Sequence, residues 1–67
     1  MELDITQKNE RRNLIREAGV TQRQLAKYLG KYPQQVHDAT NGFQPALWDK
    51  IVSVLSSPSL LKKVKKV

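Results

Sequence analysis

Gly30 and Pro33 stand three residues apart between two runs of helical periodicity, and this break constrains the fold more than anything else in the chain. Upstream of it, Thr21 precedes Gln24 by three residues. A hydroxyl at the N-cap with an amide at N3 is a capping box, so a helix is predicted to start at Gln22. Leu25, Ala26 and Leu29 recur at helical spacing and give it one apolar face. Gly30 tolerates positive φ and can end that helix in a left-handed turn. Pro33 suits the first turn of a second helix, where a missing N–H costs nothing. Val36 and Ala39 give this helix a thin apolar face, and Asn41-Gly42 closes it.

So short a link makes the two helices cross with their backbones close together. The small Ala26 fits the near point, where a branched side chain would push the helices apart. Gln34, Gln35, His37, Asp38 and Thr40 are polar and are expected to point away from Val36, toward whatever the protein binds.

The ordered set Thr21-Gln22, Leu25-Ala26, Leu29-Gly30, Val36 and Asn41-Gly42 resembles the helix-turn-helix of the Cro and phage-repressor (XRE-like) family. Leu14 upstream and Pro45, Leu47 and Ile51 downstream fall at family-like offsets, so the likeness runs over roughly residues 10 to 56. The resemblance implies an all-α fold, a small lambda-repressor-like bundle of four to five short helices with a central helix-turn-helix at 21–42. It also implies a partner, double-stranded DNA. The chain departs from the pattern at Tyr32, where Ser or Thr is usual, at Ala39, where a larger apolar residue is common, and at Asp38, an acid where bases are often read.

Length and composition set the outer bounds. Sixty-seven residues allow one domain, 1–67, with a modest core and no cysteine to staple it. The lack of cysteine fits a reducing cytoplasm. No apolar run approaches the ~20 residues that span a bilayer, so no membrane partner is expected. The N-terminus is polar, with Glu2 and Asp4, and is unlike a signal peptide. The expected location is the cytoplasm of a bacterial host, at the nucleoid when the protein is on DNA.

The formal charge of +6 favours a polyanionic partner. Lys62, Lys63, Lys65 and Lys66 form a basic C-terminal tail at 62–67. The stretch from Arg11 to Lys31 holds six basic residues against Glu17 alone. These charges flank the second helix instead of lying on it, which suits a protein that clamps phosphates on both sides of a groove. The competing reading is a set of solvated faces on a helical domain.

Asp4 and Gln7 form another capping box pattern, which starts a first helix at Ile5 and runs it to about Ala18, before Gly19. Leu14, Ala18 and Ile15 are expected to pack on the middle helices, while TQKNERRN is exposed or frayed. Phe43 is expected to plug the core under the loop. Pro45 opens a fourth helix, in which Leu47, Ile51, Val54 and Leu55 follow the apolar template. Pro58 opens a short fifth helix with Ser57 as its cap and Leu60, Leu61 and Val64 as its stripe. Val67 and the lysines are expected to fray.

Catalysis is not expected. His37 is the single histidine and there is no cysteine, so the chain offers no zinc site. It has no glycine-rich phosphate loop either, and no cofactor is implied.

For DNA, roles follow from position. Gln34 is the leading base reader, because an amide bonds adenine N6 and N7 together, and the resemblance implies a base reader there too. Tyr32, Gln35 and Asp38 are further candidates. Asp38 either accepts from cytosine N4 or bonds a neighbouring side chain and orients it. Gln22, at the head of the first helix, is a candidate for phosphate, as the resemblance also implies, or it only caps the helix. Arg23, Lys27, Lys31, His37 and Asn41 complete the phosphate candidates. Trp48, Val52, Leu60, Leu61 and Val64 exceed what one small core needs and form either a dimer or partner surface or the monomer's own core.

Two functions remain. One is a sequence-specific regulator of the Cro or repressor type that reads the major groove with the helix 33–41 and works as a homodimer, or beside another repressor, by occluding a promoter. The other is an antirepressor or co-repressor module that docks on another phage repressor through its helix-turn-helix face. Asp38 and Tyr32 motivate the second.

Overall fold

Cap chemistry sets the helix boundaries. The structure, a computed structural model, describes residues 2–67, so the first residue of the expected 1–67 domain lies outside the described residues. Asp4 opens α1 (Ile5–Glu17) by accepting the Gln7 N–H at 2.9 Å. Thr21 opens α2 (Gln22–Leu29) with both halves of its box in place. The Gln24 N–H donates to Thr21 Oγ1 at 3.1 Å, and the Thr21 N–H donates to Gln24 Oε1 at 2.9 Å. Gly30 then takes φ 70°, the left-handed conformation that favours glycine. Each of the chain's three prolines begins a helix: α3 (Pro33–Thr40), α4 (Pro45–Leu55) and α5 (Pro58–Lys65). The fold is all-α, with five helices and no strand among the described residues.

The core is shared by all five helices. Leu25 and Ala26 of α2, Val36 and Ala39 of α3, and Ile51 of α4 are sealed from solvent. Ile15, Val20, Leu47, Val54 and Val64 close the cluster. Full burial of a side chain such as Leu25 contributes about 1.5–3 kcal/mol, a large fraction of what a chain this small can hold. α2 and α3 form the most extensive contact, with α4 against α3 and α5 against both α4 and α2. α1 packs mainly on α3. A radius of gyration of 10.9 Å is that of a close-packed chain of this length.

Several expectations need correction. Ile15, not Leu14, is the apolar anchor of α1, and Leu14 remains 50% exposed. Phe43 does not plug the core and is 45% exposed in the loop after α3. Ser57 makes no side-chain cap bond. The C-terminal stretch is helical to Lys65 and is tied down. Gln24 Nε2 donates to the carbonyls of Lys65 and Val67 at 3.4 and 3.5 Å, and the Lys65 side chain lies over Gly19. Thr40 does not face a partner. It is fully buried, its hydroxyl donating to the His37 carbonyl at 2.6 Å.

Candidate nucleic-acid interface

The exposed side of α3 is set by what its buried side must do. Val36, Ala39 and Thr40 are fixed inward, so Gln34 stays exposed, while Gln35, His37 and Asp38 are half-buried on the flanks. Gln34 and Asp38 are four apart, the spacing that brings side chains together on a helix. Gln34 Nε2 donates to Asp38 Oδ1 at 3.1 Å. Of the two roles open to Asp38, this geometry is that of the orienting residue. The Gln34 amide keeps its oxygen and one N–H free, which is the pair an adenine edge needs.

The head of α3 is capped from one side only. Tyr32 carries no hydroxyl that reaches its own helix, and its side chain is 75% exposed. The Tyr32 N–H instead donates to Gln35 Oε1 at 2.9 Å. That bond uses one lone pair of the Gln35 oxygen and leaves both of its amide N–H groups free to donate. Gln35 also lines a hollow of about 120 Å³ with Lys31, Lys50 and Gln44. Gln44 takes φ 58°, a left-handed conformation that a side chain disfavours by about 1–2 kcal/mol. Neither Lys50 nor Gln44 is marked by the sequence pattern, because the turn from α3 to α4 places them and a glutamine gives no signal of positive φ.

The tail of α3 is held by α1. Arg11 donates to the Ala39 carbonyl at 2.7 Å, and its guanidinium lies 4.4 Å from the centre of the Trp48 ring. The Gly42 N–H also donates to that carbonyl, at 3.3 Å, so Arg11 adds a charged second donor at the negative end of the helix dipole. Arg12 reaches Asn41 Oδ1 at 3.4 Å, and the Leu3 N–H donates to the Asn41 carbonyl at 2.8 Å. Arg12 thus uses the Asn41 side-chain oxygen and leaves its amide N–H groups without a partner among the described residues. Sequence reading missed Arg11 because its partner is 28 residues away; the one available signal was an arginine inside an otherwise exposed polar run.

Gln22 is half-buried at the first position of α2, where backbone N–H groups point out of the helix. Arg23, Lys27 and Lys31 are exposed. Thus α2 and α3 carry Gln22, Tyr32, Gln34, Gln35, His37 and Asp38 on one supersecondary unit, with cations at its edges.

The residues expected at a dimer or partner seam divide. Val64 is fully buried and belongs to the chain's own core. Trp48, Leu60 and Leu61 are half-buried against that core, and Val52 alone of the five is exposed, at 39%. Among the described residues no group of histidine, cysteine or carboxylate side chains is placed to hold a metal, and no helix is long and apolar enough to cross a membrane.

Compared with models of known families, with curated proteins and with solved structures, the chain matches none.

Proposed function

We propose that the α2–α3 unit reads double-stranded DNA, with α3 in the major groove, and that the protein is a transcriptional regulator of the Cro or phage-repressor type. The observation that carries the proposal is the Gln34–Asp38 pair. An exposed amide at the first turn of a short helix is oriented by a carboxylate one turn later, while the rest of the helix is locked from behind. Such a pre-set amide makes a bidentate contact with adenine at low entropic cost. Asp38 contributes by positioning Gln34, and pairing with the amide N–H moderates the repulsion between its charge and DNA.

Around this reader the other groups act on phosphate. The free N–H groups and the positive end of α2 at Gln22 hold one phosphate. Asn41 holds another after α3. Arg23, Lys27, Lys31 and Lys50 surround the reader with charge, and the net +6 supplies the salt-dependent attraction. One module covers little DNA. Two copies on half-sites about 34–36 Å apart, or one copy beside another repressor, complete the complex. Occupancy blocks a promoter without any cofactor or catalytic step.

The test is a gel shift on fragments selected from random sequence, at two salt concentrations. Purified protein shifts specific fragments, and the shift weakens as salt rises. Gln34→Ala loses about 1–3 kcal/mol of discrimination at one base pair, whereas Gln22→Ala weakens all sites alike. Failure to shift any selected fragment at low salt sinks the proposal.

A second reading has one observation in its favour. Tyr32 is 75% exposed at the head of α3, and an exposed aromatic residue is a common anchor of protein interfaces. On that reading the same face docks on another repressor and Asp38 pairs with its basic surface. Purified protein would then shift no DNA but would remove a bound repressor from its site.

A further inference from the structure

α1 and α4 make no extensive contact with each other, and residues of both line a furrow. Two adjoining hollows of about 290 and 270 Å³ share Leu14 as a common wall. The first is floored by Ala18, Val52 and Leu55, the second by Leu3 and Trp48. Trp48, Val52 and Leu55 follow one another at four and three residues along α4, so they form one stripe. From Gln7 to Ala18 the α1 wall is about 16 Å long, or three helical turns. Leu14 and Val52, at 50% and 39% exposure, are apolar groups that the chain's own core leaves uncovered.

The charge around this furrow is opposite to that of the protein. The chain carries +6 and only six carboxylates, yet Glu10 and Glu17 both line the furrow. They are seven apart, two turns, and so stand on the same side of α1. Lys8, Arg12 and Arg16 recur every four residues on a different stripe of that helix. Arg11, which also borders the furrow, is already spent on Trp48 and the Ala39 carbonyl. The result is an apolar floor with an acidic rim.

We propose that the α1–α4 furrow docks an amphipathic helix of a second protein, one with an apolar face flanked by lysine or arginine. The charge decides the occupant. A second copy of this chain meeting it by a two-fold axis would set the patch that carries Glu10 and Glu17 against the same patch of its partner, an unfavourable pairing of like charges. A basic helix matches the rim and covers the floor. None of the furrow's lining residues belongs to α2 or α3, so such a partner leaves Gln34 and its neighbours uncovered. The inference does not depend on what α3 binds.

The test uses the full chain and a tryptophan-free Leu/Lys amphipathic peptide of about 14 residues, four helical turns. A Leu/Glu peptide of the same pattern is the control. Trp48 is the single tryptophan and lines the furrow, so its fluorescence reports occupancy directly. Methyl NMR of Leu14 and Val52 locates the contact. The lysine peptide is expected to give a saturable change in all three residues and the glutamate peptide none. Reversing both rim charges (Glu10→Lys with Glu17→Lys) weakens the lysine peptide roughly tenfold, as expected for two exposed ion pairs. Val52→Lys abolishes binding. Glu10, Glu17 and Val52 are exposed, so circular dichroism should show unchanged folding; if one variant unfolds, Leu14→Asn replaces it. Absence of a saturable change, or equal binding of the two peptides, overturns the proposal. So does sedimentation showing a dimer that Leu14→Asn dissociates, since the occupant is then a second copy.

Discussion

α1 and α3 are held by opposite means. α1 is the longest helix, at 13 residues, and buries a single side chain, Ile15. α3 has eight residues and buries three. The short helix is locked by packing from behind and by Arg11, Arg12 and Leu3 at its tail. The long one is held by its cap, one apolar anchor and those same polar ties. Length therefore says little about anchorage here. Of the two, the element that presents Gln34 and Asp38 is the more firmly packed.

This contrast can be broken by experiment. The largest effect is expected in the packed half. Leu25→Ala, at a fully buried site, costs about 2–5 kcal/mol and leaves little folded protein, whereas Leu14→Ala costs under about 0.5 kcal/mol. Thermal melts of the two variants compare the same truncation in the two regions. Next comes Arg11→Met, which removes a charged bond to the Ala39 carbonyl together with the contact over Trp48. About 2 kcal/mol should be lost, with Trp48 fluorescence changed and hydrogen exchange accelerated at the end of α3.

The caps give a finer comparison. Thr21→Ala breaks the complete box of α2 and costs about 1 kcal/mol. Tyr32→Thr supplies the missing half of the α3 box and should stabilise by about 0.5–1 kcal/mol in the same melts. If it also weakens DNA binding, Tyr32 is kept for contact and not for folding. The smallest effect belongs to the N-terminus. Lys8, by hydrogen bond and charge, holds the exposed Glu2 carboxyl below its ordinary range. A lowered folded-state pKa contributes stability that is present above the unfolded value near 4.5 and is lost as pH falls through the folded one. Glu2→Gln should flatten the melting temperature against pH only in that acid window, and only slightly, because the pair is open to solvent.

Much of the fold was legible because its signals are local. The Thr21–Gln24 box, the left-handed Gly30 and the prolines at three helix starts act within a few residues and need no partner elsewhere. Apolar spacing likewise marked Leu25, Ala26, Val36, Ala39, Leu47 and Ile51 as inward. For the site, the helix and its exposed Gln34 followed from the same pattern. Thr40 did not, because a threonine one turn beyond Val36 looks polar in sequence, and its burial depends on a bond to the carbonyl three residues back. Phe43 and Leu14 failed for the opposite reason, since hydrophobicity does not say whether a surface is available to receive the side chain.

The amino-acid sequence alone determined where each helix begins, which face of the middle helices is apolar, and that α2 and α3 are joined by a link too short to let them separate. These are consequences of dihedral preference and periodicity, which each segment carries by itself. Tertiary structure alone decided that Asp38 turns Gln34, that Arg11 seals the end of α3 from 28 residues away, that Val64 joins the core, and that Leu14 and Val52 are left facing an acidic-rimmed furrow. Those outcomes depend on the distance between residues far apart in the chain, and no local preference encodes a distance until the core has closed around Leu25 and Ile51.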